Sequence, residues 1–170
     1  RIKKLGLRIR SGEHFELVNP ENDARYRGYW MEDHRIMQRN GVTPEHAKRE
    51  MRRSGALIGA MMIHMGEADC MLCGTFAQPL EHLPYIREVI GLRAGASVFA
   101  SLNILLLPNR TLFICDTHIN LDPSAEQVAE MAIMAAEEVQ RFGIVPKLAL
   151  LSHSSFGSFD NASAVKMKRA

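Results

Sequence analysis

A short apolar run, Leu148 to Leu151, stops abruptly in a polar loop, Ser152-His153-Ser154-Ser155-Phe156-Gly157-Ser158. The run is too short for a helix and has no polar alternation. It reads as a strand covered on both faces, as in a parallel sheet. Ligands of open α/β sheets sit outside the carboxyl ends of the strands, which is where this loop would lie. The loop offers hydroxyl and amide donors, no paired acid and base, and no lysine. That suits gripping a phosphate or an amide better than breaking a bond. A polar loop that meets no ligand fits the same residues.

The rest of the chain alternates strand and helix signals. Phe15 to Val18 reads as a short strand closed by Asn19-Pro20. Asn22 or Asp23 can cap a helix to about Asn40, with Tyr26, Tyr29, Trp30, Ile36 and Met37 at helical spacing and Gly41 as the stop. Thr43-Pro44-Glu45 is a cap with proline at the first helical position. The helix it opens carries Lys48, Arg49, Arg52 and Arg53 on a solvated face. Ala56 to Met65 is an apolar helix ended by Gly66. Cys70 to Cys73 reads as a brief strand, 74–79 as a loop, and Glu81 to Ile90 as a helix. Val98 to Leu107 and Thr111 to Cys115, joined by a Pro108-Asn109-Arg110 turn, read as an antiparallel hairpin. Asp122-Pro123-Ser124 opens a helix with the stripe Val128, Ala132, Ala135, Ala136 and Val139, ended by Gly143. Small residues there permit close packing on a sheet or on a second copy. A last helix starts near Ala162. The alternation points to an α/β fold with a mainly parallel or mixed sheet flanked by helices.

Composition removes several classes of function. Hydrophobic residues make up 46% of 170 positions, enough for a real core, and a net charge of +2 gives no case for nucleic acid. No apolar run approaches the ~20 residues of a membrane span, and the charged start is unlike a signal peptide. Three cysteines give no disulfide framework and fit a reducing, cytoplasmic setting. The chain begins at Arg1 without methionine and stops inside a helical pattern, as expected of a fragment of something larger.

Three strand ends carry polar loops: Cys73-Gly74-Thr75, Asp116-Thr117-His118-Ile119-Asn120 and the serine loop. Convergence of several such loops on one cleft is what makes a site. Asp116 and His118 share a face if the strand continues, as an acid-base pair or as metal ligands. A capping and hydrogen-bonding role for Asp116 and Asn120 is the other reading. Cys70 and Cys73 have metal-ligand spacing, yet no second pair accompanies them and residues three apart on a strand face oppositely; structural cysteines are favoured. Neither glycine-rich nucleotide loop is present, nor a G-x-S-x-G elbow. Adjacent Ser154 and His153 point apart and form no dyad.

Several ordered motifs go further. Gly66-Glu67-Ala68-Asp69, Cys73-Gly74-Thr75, Leu105-Leu106-Leu107-Pro108, Asp116-Thr117-His118-Ile119-Asn120, Asp122-Pro123-Ser124-Ala125-Glu126 and Arg141-Phe142-Gly143-Ile144 occur in that order. With Leu150-Leu151-Ser152-His153-Ser154-Ser155-Phe156-Gly157-Ser158 they resemble the phosphate acetyl/butyryl transferase family over nearly the whole chain. The Leu-Ser-His-Ser-x-Phe-Gly-Ser form, the Cys-Gly-Thr form and Tyr26-Arg27-Gly28-Tyr29-Trp30 resemble one branch of it, the C-terminal domain of large bacterial NADP-dependent malic enzymes.

The resemblance implies two α/β subdomains with a coenzyme A cleft between them, and dimers formed through the second. Residues 1–20 would then be a flanking piece of the first subdomain and 21–145 the second, dimerising one. Residues 146–170 would be a strand, binding loop and helix returning toward the first. The Ser-Arg-Pro-like catalytic segment of the family is not in this sequence. Acetyl-CoA is the implied ligand, held near Gly74, Thr75, Asp116, Asn120, Ser152, Ser154, Ser155, Gly157 and Ser158. Transacetylases of the family have, after the first loop, a hydroxyl pair and then an arginine suited to an acyl phosphate. Here the stretch is Ala77-Gln78-Pro79-Leu80-Glu81-His82-Leu83-Pro84, with Arg87 about one turn further on. The expected function is therefore an acetyl-CoA-binding, oligomerising regulatory domain with no catalytic residues of its own. It would serve a malic enzyme catalytic domain of the same chain that uses NADP and Mg or Mn. An active phosphate acetyltransferase and an assembly module with a vestigial pocket are the alternatives.

Overall fold

Capping chemistry sets most helix boundaries. The computed structural model describes residues 2–74, 77–155 and 158–170. It divides into two units, Arg1–Gly91 and Leu92–Ala170.

In the first unit, α1 spans Tyr26–Met37 and runs on as a tighter turn through Gln38–Asn40, where Gly41 takes a left-handed conformation. Asp23 prepares its start by accepting the Arg25 backbone N–H at 2.9 Å. Helix α2, Pro44–Arg53, begins at Thr43, whose hydroxyl accepts from the His46 N–H. Helix α3, Gly55–His64, begins at Ser54, which accepts from Leu57, and Gly66 turns left-handed just beyond its end. Helix α4, Pro79–Tyr85, contains Pro84 and continues as a wider π turn over Ile86–Ile90. Proline removes a donor and crowds the preceding turn, and the ladder changes its spacing directly after it. Tyr29, Met51, Leu57, Ile58, Ala60, Met61 and Val89 form the core of this unit, with Trp30 and Tyr85 packed against it. Met51 and Met61 are wholly buried.

In the second unit, β1 (Leu102–Leu107) and β2 (Arg110–Cys115) pair antiparallel, with Leu107 opposite Arg110 and Leu102 opposite Cys115. Helix α5, Ala125–Arg141, starts in a capping box. Ser124 accepts from the Gln127 N–H while the Gln127 side chain accepts from the Ser124 N–H. Helix α6, Ala162–Arg169, starts at Asn161, which accepts from Ala164 at 2.7 Å. Val98, Val128 and Met131 form the core, joined by Met134 and Met167.

The fold is α/β, with helices flanking a small sheet. Among the described residues the one ladder is the hairpin, so the sheet seen is antiparallel. The segments Cys70–Cys73 and Leu148–Leu151, expected as strands, join no ladder among the described residues. Phe15 makes only a single bridge to Ser11. A strand exists by virtue of its neighbour, and among the described residues these three segments join no ladder. No helix among the described residues is long and apolar enough to cross a membrane.

Candidate functional site

The loop after β2 is built around one carboxylate. Asp116 Oδ1 accepts from the Ser101 backbone N–H at 2.9 Å and from the Ser101 hydroxyl at 2.5 Å. Its Oδ2 accepts from the Asn120 backbone N–H at 2.7 Å and from the Asn120 side-chain amide at 2.6 Å. Burial pushes this carboxyl up, but the donors from Ser101 and Asn120 outweigh it and hold the group well below the usual carboxylate range. Asn120 also donates to the Phe99 carbonyl at 2.7 Å. The capping reading of Asp116 and Asn120 thus describes what they do: they fasten residues 116–120 to the segment just before β1.

The His118 ring takes no part in this. His118 meets Asp116 and Ser101 through its backbone N–H, so no acid-base pair forms. No group of three His, Cys, Asp or Glu among the described residues is arranged to hold a metal ion. Cys70, Cys73 and Cys115 are free thiols.

Sequence reasoning misses Ser101. Its hydroxyl accepts from the backbone N–H groups of Thr117 and His118, both at 3.0 Å, while donating to Asp116. Thr117 also donates to Asn103 Oδ1 at 3.1 Å. A signal is present: Ser101 and Asn103, two residues apart, are the polar interruptions of the apolar run Val98 to Leu107. Alternation of this kind puts both on one side of the strand, where the loop is.

Asp116 and Asn120 stand on the wall of a cleft of about 600 Å³ in the second unit. Its other walls are β2, the stripe Val128, Ala132, Ala135, Ala136 and Val139 of α5, and residues 144–151. The alanines leave room that larger residues would fill. Leu148 to Leu151 therefore forms a cleft wall, not a ladder.

The serine loop folds on itself beyond that wall. The Ser152 hydroxyl accepts from the Ser154 N–H at 3.1 Å and donates to the Ser154 carbonyl at 3.2 Å. The Ser154 hydroxyl accepts from the Phe159 N–H at 3.0 Å. Ser158 donates its N–H to the Ser155 carbonyl at 3.1 Å. Ser152, Ser155 and Ser158 are exposed. Gly157 lies outside the described residues, as does Thr75. Gly74 belongs to the first unit and takes a left-handed φ of 103°, which glycine adopts without strain.

Helix α4 starts close after it. The Gln78 backbone N–H donates to Glu81 Oε1 at 3.1 Å, and Pro79 occupies the first turn. From Ala77 to Pro84 the chain has no hydroxyl and no arginine. Arg87 stands on the π turn, exposed.

The profile of the phosphate acetyl/butaryl transferase family matches residues 1–170. The NADP-dependent malic enzyme of Salmonella typhimurium is 51% identical over 168 residues, covering 99% of this chain and 22% of that protein. The phosphate acetyltransferase of Nitratidesulfovibrio vulgaris is 31% identical over 170 residues, covering 100% of this chain and 24% of that protein. The chain thus spans about a fifth to a quarter of the length of these two relatives. The EutD phosphotransacetylase from Staphylococcus aureus superposes with a TM-score of 0.80 at 22% identity, over 99% of this chain and 49% of the solved one.

Proposed function

The chain belongs to the phosphate acetyl/butaryl transferase family, and from that premise we propose that it is an acetyl-CoA-binding regulatory and assembly domain of a cytoplasmic NADP-dependent malic enzyme. The observation that carries this reading is the start of α4. Where the resemblance expects a hydroxyl pair and then an arginine for an acyl phosphate, this chain has Gln78-Pro79 and then a proline, Pro84, in the same helix. Without that arginine the site lacks its main means of stabilising phosphoryl charge. Acetyl-CoA needs no such group to bind; the hydroxyls and amides of Ser152 to Ser158 and the 116–120 loop suit its amides and phosphates.

Homologous malic enzymes support the parent activity, oxidative decarboxylation of malate, in a catalytic domain outside residues 1–170. In this reading NADP and the divalent metal belong to that domain. Acetyl-CoA regulates only if it favours one global state over another. Association of copies through this domain is the accompanying assembly role.

Isothermal titration of acetyl-CoA into the full-length protein, with an acetyl phosphate assay on the same sample, tests the reading. Binding without acetyl phosphate formation, together with altered malate kinetics, is the expected result. Acetyl phosphate formation would establish the second reading, a working transferase, which the whole-chain likeness to a phosphate acetyltransferase and the exposed Arg87 favour. Indifference to acetyl-CoA would leave assembly alone.

A further inference from the structure

The stretch Gly66-Glu67-Ala68-Asp69 leads from α3 toward the loop at Cys73 and Gly74, and it is fastened before that loop begins. Its backbone closes α3. The Gly66 N–H donates to the Ile63 carbonyl at 3.0 Å and the Glu67 N–H to the Met62 carbonyl at 2.8 Å. With Gly66 left-handed, this is the Schellman ending of a helix. The Glu67 side chain accepts from the Tyr29 hydroxyl of α1 and pairs with Arg25 at 3.5 Å. Tyr29 is 2% exposed. Burial, together with its bond to Glu67, pushes its hydroxyl well above the ordinary tyrosine value, so it stays a donor. Arg25 is held in turn by Asp23 at 2.8 Å and Glu16 at 2.6 Å.

A second fastening is a seat for Met71. A Cβ on Gly59 would stand 2.5 Å from the Met71 Sδ and 3.1 Å from its Cγ. The Met71 side chain therefore lies where any other residue carries its first side-chain carbon. Gly59 is in the middle of α3, Gly55–His64, so the chain turns at Gly66 and has come back along the helix by Met71. Met71 is half-buried, whereas Leu72 is 99% exposed. Glycine inside a helix is less favourable than alanine; here its bare face is what admits Met71.

Cys73 and Gly74, which follow, are exposed. A loop with few contacts of its own loses its freedom on binding unless something upstream has already removed it, and that loss weakens the complex. Resting on the acetyl-CoA reading above, we propose that Glu67 and Met71 are positioning residues. They clamp the 66–71 segment to α1 and to the Gly59 face of α3, and so set the place of Gly74 for acetyl-CoA without touching it.

The test uses the full-length protein that carries this chain, with amide hydrogen exchange in the ligand-free state and titration of acetyl-CoA. Gly59→Ala separates positioning from stability. Alanine is the better helix former, so Tm rises or holds, while Met71 loses its seat. Exchange over residues 68–74 is expected to quicken and acetyl-CoA affinity to fall, each by about tenfold. Glu67→Ala gives the same two changes and covers the case in which Gly59→Ala fails to fold. Glu67→Gln, which still accepts from Tyr29, restores most of the affinity. Unchanged exchange over 68–74 in the folded variants, or quickened exchange with undiminished affinity, overturns the proposal. If the wild-type protein itself takes up no acetyl-CoA, the acetyl-CoA reading falls, and the ligand-free exchange still decides for or against the clamp.

Discussion

Ser101 and Asp116, fifteen residues apart, are joined twice, by the backbone N–H and by the hydroxyl of Ser101, both onto Oδ1 of Asp116. The same hydroxyl receives two N–H groups of the 116–120 loop, so it is the hinge pin between strand and loop. Ser101→Ala is expected to cost about 2 kcal/mol, in keeping with hydrogen bonds to a charged acceptor. Asp116→Asn costs more, about 3 kcal/mol, because it turns an acceptor for both Ser101 and Asn120 into a partial donor. Urea unfolding of both variants checks the order; equal or negligible losses would mean that the loop is held by something else.

Asp116 also sets a pH dependence. Its folded-state pKa is depressed, so its contribution is fully present above the ordinary aspartate value of about 3.9 and is lost as pH falls through the lower folded-state value. The stability gap between wild type and Asp116→Asn is therefore constant from pH 7 to pH 5 and closes in more acidic solution. Urea midpoints at pH 7, 5 and 3 measure it, and a gap of the same size at pH 3 would contradict the assignment.

Ser154 closes the serine loop on Phe159 by accepting its backbone N–H. Ser154→Ala should weaken acetyl-CoA binding about tenfold, equivalent to about 1.4 kcal/mol, while moving Tm by less than about 2 °C because the loop is largely exposed. Titration calorimetry and a thermal melt on one preparation separate the two effects. Full affinity in this variant would remove the loop from the binding site.

Helix α5 begins in the capping box made by Ser124 and Gln127. Ser124→Ala removes the cap and is expected to cost about 1 kcal/mol, while Ser124→Asp keeps the acceptor and costs little. Equilibrium unfolding monitored by circular dichroism distinguishes them; identical losses would show that the capping box is idle.

What is legible in the sequence is what is local. Thr43 and Ser124 announce their helices because a cap and the N–H it accepts lie within three residues of each other. The hairpin is legible for the same reason, its two strands being joined by Pro108-Asn109. The segments 15–18, 70–73 and 148–151 mislead because an apolar run states only that it wants cover, not that a strand will lie beside it. The site divides likewise. Asp116 and Asn120 are placed by their loop, but Ser101 acts across fifteen residues, and nothing within its own neighbourhood says so. Asp33, 5% exposed on α1 between Tyr29 and Met37, hides in plain view, since a helical stripe is read from its apolar members and an acid within it goes unnoticed.

The hairpin carries Leu106 at 80% exposure, with Leu105 and Leu112 also open, and neither outer edge of the pair is matched by a further strand among the described residues. Such a ribbon is a template for any other extended chain that meets it. The hairpin is thus the part of this protein most open to unintended pairing between copies, and a charged residue in place of Leu106 would guard it.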